Sequence, residues 1–473
     1  MKRILIINRG EIAIRVAKAI RELGHIAIGI WTDNEPQAAH LEYCHEWVHM
    51  RGTTNQDTYL NIPAIEKIIT DHKIDAVHPG YGFLSENTKF CALLEKKNII
   101  FIGPNANAIE QMGDKAISKT IAKKAGVPVV PGSTGEVASV EEALKIAQDI
   151  KYPILLKAVA GGGGKGMRVC FSEKEVKANF EAVKREALSS FGNDALLVEK
   201  YILNPHHIEV QILADKKKNI YHLYERECSI QRRHQKIIEE APSPFIADDE
   251  KLRKKICDTA VKLAQAVDYD SAGTVEFIMG EDKEFYFLEM NTRIQVEHPI
   301  TEEITGIDLV ANMIKAALGE NLDISSQEEI KKYGHSIECR ICAEDPITML
   351  PAPGKIIGFE TTFPQGIRFD HCIFAGEEIT PQFDPMIGKL VATGNNRMVA
   401  IRKMTEALNG LIIDGLKTNT SLHKQIVKES NFIKGYYTTN YLNEISPQKK
   451  ISEEHEYHKL AEKILSMELG GLL

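Results

Sequence analysis

Polar and apolar positions alternate along "EMNTRIQVE", where Glu289, Asn291, Arg293, Gln295 and Glu297 take every second place. Alternate side chains of an extended chain share a face, so one side of this stretch carries two acids, two amides and a guanidinium. Just before it, "EFYFL" has the aromatic and aliphatic run of a buried strand. With "AGTVEFIMG" upstream, it predicts a hairpin around Gly280 to Lys283. An even loop centred between Glu281 and Asp282 sets Ile278 opposite Phe285 and Thr274 opposite Glu289. Glu276 is then a diagonal neighbour of Glu289 on one face, with β carbons about 7 Å apart.

The first hundred residues alternate short apolar runs with helical patterns: "RILIINR", "HIAIGIW", "TYLNIPAIEKIITDH", "DAVHPG", "ENTKFCALLEKKN", "IIFIGP". That alternation predicts βαβ units on a parallel sheet, whose ligands gather at strand C-terminal ends, here "NRGE" and "HPGYGFLSEN". "GDKAISKTIAKKAGVPVVPG" predicts a helix ended by Gly126 and Pro128 that leads into a second unit. There, a small α/β segment from "YPILLKA" to "EKYI" precedes the β-rich runs "HIEVQILAD", "NIYHLYERECS" and the hairpin. After about residue 333 the pattern predicts a third, largely β unit with a helix at 397–409. The tail from 446 reads as a charged, solvated or packing helix.

Composition narrows the classes. A 473-residue chain holds several domains, and 43% hydrophobic with 26% charged residues is ordinary soluble composition. A net charge of -8 argues against a nucleic-acid partner. No run approaches the ~18 apolar residues of a membrane helix, and Asn8, Arg9 and Glu11 interrupt any signal peptide. Eight cysteines without framework spacing predict reduced thiols and a cytoplasmic address. Cys339 and Cys342 form a CxxC with no second zinc-type pair, and together with Cys228 they are expected to be structural thiols.

Two features carry candidate chemistry. Glu276 and Glu289 on one face would repel and raise each other's pKa unless a cation lies between them. With Asn291 they make an oxygen set suited to Mg²⁺; the alternative is a surface-facing acidic hairpin. In "KAVAGGGGKGMR", Gly161 to Gly164 allow backbone N–H groups to approach an anion, although the pattern is not a P-loop and a flexible hairpin is the alternative. Lys157 ends the apolar "ILL", where a lone ammonium is costly unless it meets an anion such as phosphate.

"HPGYGFLSEN", "GDKAISK", "KAVAGGGGKGMR", "ECSIQRRHQKIIEEAPSP", "EMNTRIQVEHPITEEITGIDL", "ECRICAEDP", "FDPMIGKL" and "IIDGLKTN", in this order, resemble the biotin carboxylases of the ATP-grasp superfamily, from Met1 to about residue 445. The resemblance implies an α/β and α+β multidomain chain. Its parts are a parallel-sheet, Rossmann-like domain at 1–113, an ATP-grasp domain at 114–332 with a mobile lid at about 131–203, a mostly β domain at 333–445 and a helical tail at 446–473. It also implies that Lys115 and Lys157 reach the nucleotide phosphates, under a lid loop at Gly163 and Gly164. Glu199, Lys200, Tyr201 and Ile202 meet the adenine, while His207, Gln231 and His234 make further nucleotide contacts. Glu276 and Glu289 are the metal acids, binding Mg²⁺ or Mn²⁺. Lys236, Arg293, Gln295 and the Val296 N–H form the bicarbonate pocket, and Tyr81 and Arg340 contact biotin.

Straight, Glu289 and Glu297 would stand about 26 Å apart, too far for one centre, so the stretch must bend after Asn291. Arg293, Gln295 and Glu297 then surround a small anion, with Glu297 as the base that deprotonates bicarbonate. By resemblance, carboxyphosphate forms, breaks to CO₂ and phosphate, and biotin attacks CO₂ while Arg340 stabilises the ureido oxygen. Gly410 stands where the family usually carries a polar residue. No "AMKM" surrounds a biotinyl lysine and there is no carboxyltransferase region. The expectation is therefore a separate subunit, homodimeric by resemblance, with a biotin carboxyl carrier protein and a carboxyltransferase as partners. Its final acceptor, acetyl-CoA, another acyl-CoA or pyruvate, stays open. An amine-using ATP-grasp ligase and a non-catalytic nucleotide-binding subunit are the competing classes. "RIQVEH" with Arg340 speaks against the first, and the intact acids at 276, 289 and 297 against the second.

Overall fold

The structure, a computed structural model, describes residues 1–159, 166–191, 193–233 and 235–445. The glycine loop around Gly163 and Gly164, His234 and the tail from 446 lie outside the described residues.

Five parallel strands open the chain: β1 (Arg3–Ile6), β2 (Ile26–Thr32), β3 (Glu46–Met50), β4 (Ala76–His78) and β5 (Ile100–Phe101), in the order β3-β2-β1-β4-β5. The runs of β1, β2 and β4 are largely apolar because both faces are covered, whereas the edge strand β3 (Glu46–Met50) exposes Trp47 and His49. Ile4 and Ile6 join a core with the helix Gly10–Glu22, while Leu5 and Ile7 join another with the helices Ile62–Asp71 and Thr88–Lys96. The loops after β1 and β4 meet at the sheet's C-terminal edge, where Asn8 Nδ2 donates to the carbonyls of Pro79 and Tyr81, both at 2.7 Å. Gly80 sits at φ +63°, and a Cβ there would lie 2.8 Å from Asn8 Nδ2, so only glycine fits.

A small sheet, β6 (Ile154–Ala158), β7 (Met167–Cys170) and β8 (Leu196–Lys200), has the order β7-β6-β8 and packs on the helices Val140–Ile150 and Glu173–Phe191. The main sheet has eight antiparallel strands: β13 (Phe285–Asn291), β12 (Ala272–Met279), β9 (His206–Ala214), β10 (Ile220–Arg232), β11 (Gln235–Ala241), β14 (His335–Cys342), then Met386–Gly394 and Ile367–His371. The last three come from the stretch whose pattern reads as a third unit, yet they continue the same sheet. β11 pairs with β14, Glu239 opposite Glu338, so neither presents a bare edge there. The predicted helix at 397–409 is Arg397–Gly410. A Cβ on Gly410 would stand 2.0 Å from the Thr362 carbonyl oxygen, which accounts for glycine at that position.

The hairpin forms, but in a different register. Met279 pairs with Phe285, leaving a five-residue loop closed by Gly280 N–H to the Glu284 carbonyl at 2.9 Å, with Lys283 at φ +61°. A bulge at Leu288 then resets the ladder, so Glu276 lies directly opposite Glu289 and Thr274 opposite Asn291. The expected diagonal pair is a facing one, with less distance between the carboxylates. All eight cysteines are free and buried, and burial pushes the Cys339 and Cys228 thiols well above their ordinary value. Neither Cys339 nor Cys342 joins a group of metal-ligating atoms among the described residues. No described helix is long and apolar enough to cross a membrane.

Candidate active site

The strand with alternating polar groups does bend. β13 ends at Asn291, and the helix His298–Thr305 begins directly after Glu297, with Pro299 in its first turn. Glu86, from the loop after β4, holds the bend: it accepts from Thr292 N–H at 3.0 Å and from Arg293 Nε at 2.9 Å. The Arg293 fork donates to Asn291 Oδ1 and Gln295 Oε1, both at 2.9 Å. Three side chains of the alternating row therefore meet on one guanidinium.

Glu297 is wholly buried between two cations. Lys236 of β11 donates to its Oε1 at 2.6 Å and Arg340 of β14 to its Oε2 at 2.9 Å. Burial opposes its ionisation, yet Lys236 and Arg340 hold it well below the usual carboxylate range. Lys236 also donates to Glu276 at 2.8 Å and to Glu209, and Arg340 Nε to Glu239 at 2.6 Å. Glu276 further accepts from Asn291 and Gln295, and pairs with His207 Nε2 at 2.9 Å. Glu276 is pulled down by Lys236 and His207 against burial, while Glu276 raises His207 against its own burial. Gln231 Nε2 contacts His207 Nδ1 at 2.9 Å.

A cavity of about 950 Å³ opens onto this network, lined by Tyr81, Lys115, His207, Gln231, Glu289 and Arg340 among others. Arg293, Gln295 and Val296 also border it, while Glu297 lies behind Lys236 and Arg340. Lys157 borders the small sheet instead, donating to Glu199 Oε2 at 2.7 Å, while Lys119 donates to Glu199 Oε1 at 2.9 Å. The anion that Lys157 required is thus Glu199 in this arrangement. Lys200 donates to the carbonyls of Lys151 and Tyr152, both at 3.0 Å, and Tyr201 N–H to that of Pro153. Ile202 Cγ2 lies 3.4 Å from where a Cβ on Gly280 would stand. Tyr81 donates to the buried Glu11, which pairs with Lys389 at 3.1 Å; Lys389 also donates to the Val296 carbonyl at 3.0 Å.

Family models match three successive stretches: "Biotin carboxylase, N-terminal domain" at 1–109, "Carbamoyl-phosphate synthase L chain, ATP binding domain" at 114–325 and "Biotin carboxylase C-terminal domain" at 338–444. The chain belongs to the biotin carboxylase family. A Nostoc biotin carboxylase is 45% identical over 94% of this chain and 99% of its own length. The Caenorhabditis elegans propionyl-CoA carboxylase alpha chain is 48% identical over 94% of this chain, and this chain spans only 62% of that relative. Among solved structures, the biotin carboxylase domain dimer of Hydrogenobacter thermophilus 2-oxoglutarate carboxylase, in complex with MgADP, ADP and bicarbonate, is similar at TM-score 0.83. It is 48% identical and covers 94% of this chain and 97% of that one.

The biotin carboxylase residues fit a divalent cation at Glu276 and Glu289. Burial and the facing Glu276 charge push Glu289 above its ordinary value, a repulsion that a cation between them relieves. Close groups of three ligand atoms among the described residues are His207–Glu209–Glu276, which shares Glu276, and Glu209–Cys228–Glu297. In both groups Glu209 is already paired with Lys236 and Arg226, whereas Glu289 has no ion pair among the described residues. Sequence reasoning missed Glu86, Glu209, Arg226, Glu239 and Lys389. For Glu209 and Lys389 the one local signal is a charged residue inside an otherwise apolar strand run, "HIEVQIL" and "GKLVATG"; Glu86, Arg226 and Glu239 carry none.

Proposed function

We propose that this chain carboxylates biotin at N1′, using ATP and bicarbonate, on a biotin carboxyl carrier protein. This is the first half-reaction of a biotin-dependent carboxylase such as an acetyl-CoA, acyl-CoA or pyruvate carboxylase. The observation that carries the reading is the buried Glu297 carboxylate, bridged by Lys236 and Arg340 at the end of the Arg293–Gln295 bend.

Arg293, Lys236, Gln295 and the Val296 N–H bind bicarbonate, and Glu86 fixes the fork of Arg293. As Lys236 turns to the incoming anion it releases Glu297, whose proton affinity then rises enough to deprotonate bicarbonate. The bicarbonate oxygen attacks the γ-phosphorus, ADP departs, and carboxyphosphate breaks to CO₂ and phosphate. Phosphate takes the N1′ proton, Arg340 and Tyr81 hold the ureido group, and N1′ attacks CO₂ to give N-carboxybiotin. Lys115, Lys157 and the loop at Gly163 and Gly164 hold the nucleotide phosphates; Glu199 to Ile202, His207, Gln231 and His234 hold the rest of ATP. Mg²⁺ or Mn²⁺, held by Glu276, Glu289 and Asn291, neutralises triphosphate charge when bound.

We divide the chain into units at 1–113, 114–332 with a lid at about 131–203, and 333–445; the limits of the three family models support this division. A carboxyltransferase consumes the carboxybiotinyl carrier, the chain works as a homodimer in the cytoplasm, and the final acceptor is an acyl-CoA or a 2-oxo acid. Similarity to a propionyl-CoA carboxylase alpha chain, to a 2-oxoglutarate carboxylase small subunit and to the biotin carboxylase subunit of a pyruvate carboxylase supports both acceptor classes.

The test is phosphate release from ATP with and without bicarbonate and free biotin, beside fixation of radiolabelled bicarbonate. Release should require bicarbonate and accelerate with biotin, while acetyl-CoA, propionyl-CoA and pyruvate stay unlabelled by this chain alone. Phosphate release indifferent to bicarbonate overturns the mechanism.

A further inference from the structure

Behind Arg340, two acids face each other with no cation between them. Glu239 on β11 and Glu338 on β14 are directly opposed, which puts their β carbons about 5 Å apart. Both are 0% exposed. Among the described residues neither Glu338 oxygen has a hydrogen-bond partner, and neither does Glu239 Oε2. The other face of β14, Ile337, Cys339 and Ile341, packs into the C-terminal apolar core, so no water reaches Glu338 from that side.

The surrounding charges do not balance two carboxylates. From its own strand Glu338 meets Arg340, whose guanidinium is already spent on Glu239 and Glu297. From the strand Met386–Gly394 it meets Lys389, whose ammonium is turned to Glu11 and the Val296 carbonyl. The helix after Glu297 offers only His298, which burial and Lys389 keep neutral. On Glu239 bear Lys236, engaged with three other acids, and the protonated Cys228. An unpaired buried carboxylate is costly, and a proton is the one neutralising species that needs no extra room.

We propose that one proton is held between Glu338 and Glu239, and that Glu338 is thereby a positioning residue for Arg340. The inference rests on the reading of Arg340 as the biotin-facing group. With the proton in place the pair carries one negative charge, and Arg340 is held loosely enough to turn its fork to the ureido oxygen. With the proton lost the pair carries two, and Arg340 is drawn back onto β11. Burial, only partly offset by Arg340, raises Glu239 to about 7, and burial raises Glu338 well above its ordinary value, so the second charge appears on the alkaline side.

The experiment measures ATP cleavage by the 473-residue chain across an alkaline pH series at fixed bicarbonate, with and without free biotin. In the parent chain the biotin-dependent kcat/KM should fall by about tenfold per pH unit, the slope of one lost proton, while biotin-independent cleavage does not. Glu338→Gln, with pair charge fixed at one, should lose that alkaline fall and keep its melting temperature. Infrared spectra should contain a buried protonated carboxyl band at neutral pH that vanishes in alkali and is missing from whichever of Glu338→Gln and Glu239→Gln folds. An unchanged alkaline fall in Glu338→Gln, or a band that persists in the folded variant, overturns the proposal. If biotin never stimulates cleavage, the proposed function falls instead, and the infrared arm alone decides the shared proton.

Discussion

The small sheet and the eight-stranded sheet hold their charges in different ways. On the side proposed to hold nucleotide, Lys115 stands exposed at the start of the helix Lys115–Lys124, and Lys119, Lys157 and Glu199, outside the cavity lining, form partly exposed pairs at a three-stranded sheet. At the eight-stranded sheet, Glu297, Glu239 and Glu209 are fully buried, each with an ordered cationic partner. Partly exposed pairs are screened by salt and cost little to rearrange, whereas breaking a buried one leaves a stranded charge. Under the proposed function, the difference separates a grip that opens for nucleotide from a floor that holds its shape during proton transfer.

The sharpest way to break this comparison is Glu297→Gln. Bicarbonate-dependent ATP cleavage should fall by about 10²–10⁴-fold, the usual worth of a positioned base, as read by coupled ADP release. Glu289→Gln should come next: turnover is lost at ordinary Mg²⁺ with the melting temperature intact, since a metal acid goes without a core cavity. Unchanged turnover at low Mg²⁺ would remove Glu289 from the site. Arg340→Ala should divide the two activities, cutting biotin-dependent turnover about tenfold or more while sparing much of the bicarbonate-dependent cleavage. Equal losses would place Arg340 in an earlier step. Glu199→Ala at the small sheet should change the KM for ATP only a few-fold, with an effect that shrinks in high salt.

The smallest effect concerns acid stability. Burial opposes the ionisation of Glu240, but Arg397 and His335 hold it at about 2, below its ordinary 4.5. Its stabilisation is therefore complete above about 4.5 and disappears as pH falls toward 2. Melting temperature followed against pH should lose that acid-side dependence in Glu240→Gln.

Much of the site was legible because its information is local. The alternating row, the bend that distance demands, and an acid in each arm of the hairpin all lie within one short stretch of chain. The register was not: the bulge at Leu288 leaves no mark in a run that alternates equally well either way. The partners of Lys157 and Arg340 escaped because Glu199 and Glu239 come from other strands, and only sheet order brings them together. The same reason hid the continuity of the main sheet, since a composition break near residue 333 marks a change of unit without saying which strands pair.

That continuity has a consequence for how the molecule is made. β11 leaves the ribosome long before β14, its neighbour, and until β14 arrives its Glu239 side is an open row of backbone donors and acceptors. A nascent chain at that stage carries the carboxylation residues of β9 to β13 on an unfinished sheet, prone to pairing with another copy. That side is covered only by His335–Cys342, the same strand that brings Arg340, and Met386–Gly394 and Ile367–His371 then extend the sheet beyond it. The strand that covers the open side of β11 is thus also the strand that sets Arg340 against Glu297, so a chain caught before it emerges lacks that ion pair.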